Sequence, residues 1–504
     1  MNAHASITCS YSHENCADKG LSFSWTNTML WDKAIKHVNR IQLRIAKAAK
    51  QGKKNLVKRL QYMLNHSFYA KMLAVKKVVS NKGKHTHGVD GNVWKTSKEK
   101  VDAVLGLSDK NYKAKPLRRV FIEKYGKREK RPLGIPTMKD RAMQALYLLS
   151  LEPIAEITAD KISFGFRRYR STQDAMSYIF TVMSKQNSPQ WVLEGDIKSC
   201  FDNIDHQWLL ETIPMDKGIL RKFLKAGYIF KGEVFPTDQG TPQGGICSAT
   251  LANMTLDGME KAIAERFWTN TKGVISKGAY NKKLVTLVRY ADDFIVTARD
   301  EETAIEAQEV IREFLKTRGL GLSEEKTHIT HINEGFDFLS WNFRKYDGKL
   351  LIKPSKKSIK KITEKIGNTI RQNKSASQET LIRTLNPIIN GWANQHQPVC
   401  AKCIFSKLDH TVWHQLWQWA KRRHPQKNRK WIKDRYWPCA GTRKWVFTSE
   451  SATLTLFADK PIVRNIPVKL ESNAFSDKAY LINRRLRMRH KKAIAYLKSA
   501  AARQ

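Results

Sequence analysis

The sequence predicts a multidomain α+β protein, and three observations carry that prediction. At 504 residues the chain exceeds the roughly 100–200 residues of a typical domain. Apolar residues recur every three or four positions towards both ends, the mark of amphipathic helices, while β-branched runs gather in the middle. Hydrophobic residues make up 41% of the chain, enough to build real cores, which excludes global disorder.

The elements follow in order. Residues 1–26 are polar and aperiodic, and are expected to form a disordered lead. Ala34, Val38, Ile41, Ile45 and Ala48 then fall on one helical face, until Gln51-Gly52-Lys53 breaks it. A second helix carries Leu56, Leu60, Met63 and Leu64 towards Phe68, so that 27–95 reads as a basic helical extension closing at Gly88-Val89-Asp90-Gly91. Residues 118–122 read as a strand. The following Arg131-Pro132-Leu133-Gly134-Ile135-Pro136, with two prolines and a glycine, reads as a loop. A helix is expected over 139–151 and a short strand over 191–197. The runs 284–290 and 294–298, separated by Ala291-Asp292-Asp293, read as a hairpin. Ala304, Ile305, Ala307, Val310, Ile311, Phe314 and Leu315 share one helical face, which Gly319 and Gly321 end. Beyond about residue 350 the chain is mainly helical and very basic, with a tryptophan cluster between Trp392 and Trp445.

Charge narrows the function. Lys and Arg number 90 against 46 Asp and Glu, a formal net charge of +44. Such a surplus repels itself unless it meets a polyanion, usually nucleic acid. The 14 Trp, 15 Tyr and 20 Phe supply rings that can stack on bases or ribose. No run of about 18 apolar residues exists, which excludes a membrane-spanning helix and leaves no membrane partner expected. Glu14 and Asp18 argue against a secretory signal. Seven scattered cysteines do not form a disulfide framework and point to a reducing cytoplasm. Cys400-Ala401-Lys402-Cys403, followed by His410 and His414, is a single C-x-x-C with short spacing, so ordinary packing is expected there and no zinc.

The candidate chemistry lies in carboxylates. Asp292 and Asp293 adjoin at the expected hairpin tip and repel each other unless a cation neutralises them; hard oxygen ligands select magnesium. Asp196, at the end of another expected strand, would complete the set. Phosphoryl transfer by two metals about 3.5–4 Å apart needs such a cluster. The Asp-Asp dipeptide alone reads more readily as a polar turn, and the surroundings decide.

Tyr290-Ala291-Asp292-Asp293 between apolar strands resembles the central motif of reverse transcriptases. Asp196-Ile197-Lys198-Ser199-Cys200-Phe201-Asp202 resembles their first palm motif, and Gln239-Gly240-Thr241-Pro242-Gln243-Gly244-Gly245 the next, all in the family's order. The 131–136 segment and Phe164-Gly165-Phe166-Arg167-Arg168 are similar to fingers motifs of group II intron reverse transcriptase-maturases. Leu322-Ser323-Glu324-Glu325-Lys326 and Phe336-Asp337-Phe338-Leu339-Ser340-Trp341 match later palm motifs, and Pro387-Ile388-Ile389-Asn390-Gly391-Trp392 and Trp419-Ala420-Lys421-Arg422-Arg423 look like the maturase domain.

The resemblance implies a right-hand polymerase: fingers and palm over 96–345 with an antiparallel sheet, a helical thumb and maturase domain over 350–445, and a basic DNA-binding segment over 446–504. It implies that Asp196, Asp292 and Asp293, with Ile197, hold two magnesium ions. Phe201 would lie under the sugar of an incoming deoxynucleotide. Lys124 (or Lys127, since the run to Arg131 is one residue longer than the family's) and Arg131 would reach its triphosphate, Gln243 and Gly244 would line its pocket, and Lys326 could protonate the leaving pyrophosphate. Arg167, Arg168, Arg422, Arg423, Arg485 and Arg487 would contact RNA or DNA. The implied activity is RNA-templated DNA synthesis, together with binding of the chain's own intron RNA for splicing and mobility by target-primed reverse transcription, in a bacterial-type cytoplasm. The implied partners are that RNA, an RNA template with a DNA primer, dNTPs and target DNA. Alternatives are a domesticated relative in host repair or defence, and a non-catalytic RNA-binding splicing factor. Some relatives continue into a nuclease with paired Cys and His; no Cys follows Cys439, so that domain is expected to be missing.

Overall fold

The computed structural model describes residues 25–123, 126, 130–439 and 445–501; most of the expected lead, with Lys124 and Lys127, lies outside the described residues. The helical extension forms as its periodicity predicts, as α1 (Thr28–Lys50), α2 (Lys54–His66) and α3 (Phe68–Val79), followed by α4 (Ser97–Leu105). The Asn27 side chain caps α1 by accepting from the Leu30 N–H, and Gly52 takes the left-handed φ of +67° that turns the chain into α2. In α2 the buried stripe is Val57, Leu60, Gln61, Leu64 and Asn65; Met63 is exposed, because its place on the helix lies outside that stripe, on the side away from Gln61 and Asn65.

β1 (Leu117–Glu123) pairs antiparallel with β2 (Lys130–Ile135). Thus the 131–136 segment is a strand, not the expected loop. β2 lies at the edge of its sheet, where the missing N–H of Pro132 interrupts no ladder. α5 (Met138–Thr158) runs past its expected end at 151, through Pro153, and α6 (Thr172–Met183) follows. Next come β3 (Trp191–Asp196), the short helices α7 (Cys200–Asn203), α8 (His206–Thr212) and α9 (Lys217–Leu224), and the hairpin β4 (Tyr228–Phe230) with β5 (Glu233–Phe235). The first sheet has the order β2-β1-β4-β5. α10 (Ser248–Leu256), α11 (Met259–Phe267) and α12 (Lys277–Tyr280) lead to β6 (Thr286–Tyr290), β7 (Asp293–Ala298) and α13 (Glu301–Lys316), and β8 (His328–His331) completes a palm sheet of order β6-β7-β3-β8.

The palm sheet is covered on both faces, as the continuous burial of β6 and β7 requires. Leu193, Leu287, Phe294 and Val296 face a core shared with α1–α5 and α13. Val192, Val288 and Ile295, one residue out of phase, face a second core shared with the thumb. A small sheet, β9 (Phe336–Phe338), β10 (Trp341–Tyr346) and β11 (Lys349–Pro354), joins the palm to thumb helices α14 (Lys356–Gln372), α15 (Gln378–His396), α16 (Lys402–Arg423) and α17 (Arg429–Tyr436). The tryptophan cluster is largely core: Trp419 and Trp437 are buried, Trp413 stacks on Trp417 with centroids 5.3 Å apart, and Trp431 and Trp445 remain exposed. The final helix is α18 (Lys478–Ala501). No described helix is long and apolar enough to cross a membrane.

Candidate active site

Strand geometry brings two of the candidate carboxylates face to face. β3 pairs antiparallel with β7 so that Asp196 is the register partner of Asp293, and directly opposed residues project from one face of a sheet. Asp292 sits on the two-residue turn of the β6–β7 hairpin. Ala291, the first turn residue, has φ +59°, which lets the turn follow the right-handed twist of its strands.

That tip is braced from behind. The 162–164 segment runs beside β6: Phe164 N–H donates to the Arg289 carbonyl at 2.9 Å, and Arg289 N–H to the Ile162 carbonyl at 3.1 Å. A Cβ at Gly165 would lie 2.2 Å from the Ala291 nitrogen, so only glycine admits the hairpin tip there. The Arg289 guanidinium, 1% exposed, pairs with Asp257 and donates to Asn253 Oδ1 at 3.3 Å and to the Ala291 carbonyl at 3.4 Å. Asn253 in turn donates to the Gly165 carbonyl at 2.8 Å, closing a buried ring under the tip. A Cβ at Gly195 would lie 2.1 Å from Phe294 Cζ, so the cross-strand phenyl ring lies over bare backbone next to Asp196.

The electrostatics are those of crowded acids. Burial, then Asp196, raises the Asp292 carboxyl above the usual range, against the pull of Arg131 and Lys326. Asp293 is open to solvent along one side yet ringed by protein. It is pushed up to about 6, first by that surrounding bulk and then by Asp292 and Asp196. Among the described residues no three His, Cys, Asp or Glu side chains stand close enough together to hold a metal ion; Lys326 Nζ instead approaches Asp196 Oδ2 at 2.5 Å. The donor chemistry still fits a hard divalent cation. All three candidate ligands are oxygen acids, and Asp292 and Asp293 are raised first by burial and then by neighbouring carboxylates, a crowding that such an ion relieves.

Asp196 and Asp292, but not Asp293, border a cleft of about 930 Å³ whose walls include Arg131, Phe166, Ile197, Phe201, Gln243 and Lys326. Fingers and palm meet there through backbone: Gly134 N–H donates to the Gln243 carbonyl at 2.8 Å, and a Cβ at Gly244 (φ +118°) would lie 2.5 Å from the Gly134 carbonyl oxygen. The Gln243 amide donates to Asp202 at 3.3 Å. Phe201 is half-buried and meets Phe166 edge to face, with centroids 6.4 Å apart. Ile197 is buried as a side chain, so only its backbone can face a ligand.

The arginines divide. Arg422, Arg485 and Arg487 are exposed. Arg168 pairs with Glu152 while its side chain stays 43% exposed. Arg167 is a correction: its side chain is 6% exposed, paired with Glu156 and donating to the Asp160 and Ser163 carbonyls, so its donors are used inside the fold. Arg423 is half-buried: its Nη1 donates to the Lys374 and Ala376 carbonyls and its guanidinium packs over Trp419. Reading the sequence alone missed Phe166, Arg289, Asn253 and Asp257 as site residues. One signal was available: a lone arginine in the otherwise apolar Leu287-Val288-Arg289 run implies a buried partner.

Comparison with known proteins agrees with this geometry. The model of the reverse transcriptase (RNA-dependent DNA polymerase) family matches residues 122–343. That of the N-terminal domain of reverse transcriptase matches 25–107. That of the group II intron maturase-specific domain matches 359–437. The chain is 32% identical over 358 residues to the group II intron-encoded protein LtrA of Lactococcus lactis subsp. cremoris, covering 60% of this chain and 59% of that one. It is 32% identical to protein YkfC of Escherichia coli (strain K12) over 301 residues, covering 53% of this chain and 78% of that one. It is 29% identical over 331 residues to a 91 kDa protein in the cob intron of Schizosaccharomyces pombe, covering 55% of this chain and 40% of that one. The chain thus spans less than two thirds of LtrA. The ordered family matches, the coverage of YkfC and the motif geometry together show that the chain belongs to the group II intron reverse transcriptase–maturase family.

Proposed function

We propose that this chain is an RNA-directed DNA polymerase that extends a primer 3′-hydroxyl along an RNA template, and that it also binds its intron RNA as a maturase, assisting splicing and mobility by target-primed reverse transcription. The observation that carries the reading is Asp196 facing Asp293 across the β3–β7 ladder, with Asp292 on the adjoining tip above a nucleotide-sized cleft. Asp196, Asp292, Asp293 and the Ile197 backbone would hold two magnesium ions, which would activate the 3′-hydroxyl and steady the triphosphate.

The chain's own side chains supply the rest. Arg131 from β2 and Lys326 from the palm border the cleft with positive charge, suited to the developing charge of a transferred phosphoryl group. Lys124, outside the described residues, is a further candidate. Phe201 would close the space a ribose 2′-hydroxyl needs, and the Gln243-Gly244 backbone would approach the nascent base pair. Arg422, Arg485 and Arg487, together with half-exposed Arg168, present cations to the phosphates of intron RNA or target DNA. The work is assigned to a reducing, bacterial-type cytoplasm. Extension of a DNA primer on an RNA template with dNTPs tests the reading: full activity with magnesium and none after chelation supports it, and failure to extend under any divalent ion refutes it.

A further inference from the structure

Two residues of the turn that carries Phe166 into the cleft wall occupy backbone that L-amino acids rarely adopt: Phe166 at φ +56° and Tyr169 at φ +61°. Bulky side chains persist in that region only where their surroundings over-determine it. The far end of the chain supplies those surroundings. Arg484 on α18 pairs with Asp174, whose other oxygen caps α6 by accepting from Ser171, and it donates to the Ile466 carbonyl at 2.9 Å and to the Tyr169 carbonyl at 3.5 Å. Arg170 donates back to the Leu470 and Ser472 carbonyls at 2.7 and 3.1 Å. Asn465 donates to the Gln173 carbonyl at 3.2 Å and to Asp174 Oδ1 at 3.0 Å. The Arg484 and Asp174 side chains are 12% and 1% exposed, so the pair is shielded from solvent and salt.

The same turn bears on the reacting end of the palm. Phe166, 58% exposed, walls the cleft, and its neighbour Gly165 abuts Ala291, next to Asp292. We propose that residues 465–484 form a strap on the polymerase centre, in which Arg484 is a positioning residue that fixes the 166–170 turn and, through it, the catalytic hairpin tip. The proposal rests on the polymerase reading above. It gives α18 two roles, since Arg485 and Arg487 on the same helix face outward while Arg484 is turned inward.

The test uses the full chain and two readouts, steady-state primer extension and amide hydrogen exchange. Arg484→Ala should lower kcat about tenfold or more, because small misplacements of reacting groups cost that much. KM for the template–primer should stay within about twofold. Arg484→Lys should recover part of the loss. Asp174→Asn should cost less in the Arg484→Ala background than in wild type, as expected of two groups that act partly through each other. Amides over 164–170 and 289–292 should exchange faster in Arg484→Ala. If Arg484→Ala does not fold, Asn465→Ala, which leaves the ion pair intact, is read in the same way. A raised KM with unchanged kcat, or unchanged exchange over both segments, overturns the strap. If the wild type extends no primer, the polymerase reading fails, while the exchange measurement still decides the strap.

Discussion

Asp293 is held up to about 6 against an ordinary 3.8, so the folded state binds its proton more tightly than the unfolded chain does. In that direction stability falls as pH rises between about 3.8 and 6, and above that window the charged, crowded form is a standing cost. Asp293→Asn should therefore melt higher than wild type at pH 7 in magnesium-free buffer, by roughly 2 °C. The gap should close at pH 4, and a melting series over pH 4–8 reads both. Activity should run the other way: protons and magnesium compete for Asp293, so at limiting magnesium primer extension should fall as pH is lowered, and more magnesium should shift that fall to lower pH. Phe201 gives a second prediction at this scale. Phe201→Val should raise incorporation of a ribonucleotide relative to its deoxy counterpart by about tenfold or more, the scale of discrimination one steric contact provides. Unchanged discrimination would return Phe201 to plain packing against the palm core.

The β6–β7 hairpin, β3 and α13 were legible because local rules suffice for them. β-branched runs separated by Ala291-Asp292-Asp293 read as a hairpin, and a three-to-four spacing ended by Gly319 reads as a helix. β2 was not legible. Pro132 argues against a strand unless the strand lies at an edge, and edge position is a property of the sheet, not of the segment. The brace under the hairpin was equally hidden, because Gly165, Asn253, Asp257 and Arg289 meet only after the chain folds back on itself. That brace yields a test: Gly165→Ala places a methyl 2.2 Å from the Ala291 nitrogen, so the tip must move. Extension should fall about 10- to 100-fold, with RNA binding unchanged. Extension at the wild-type rate would show that the hairpin does not depend on that contact.

At the scale of the molecule, the extension, palm and thumb share two continuous cores, one on each face of the palm sheet. Composition had already named the class of partner, though it overstated the aromatics: Trp419 and Trp437 build the thumb core and are not open for base stacking. The basic residues are the better guide. With a net charge of +44, the logarithm of RNA affinity should fall steeply against log salt, by about 0.7 for each single-strand phosphate neutralised. Equilibrium binding between 50 and 200 mM salt measures the slope, and a flat response would mean that the cations are merely solvated. In the proposed function, polymerisation is carried by the carboxylates and RNA binding by the basic surface. Primer extension and RNA binding measured on one preparation of Asp292→Ala test it most directly. cDNA synthesis should be lost, with RNA affinity within about twofold of wild type. Extension at the wild-type rate in that variant would contradict it.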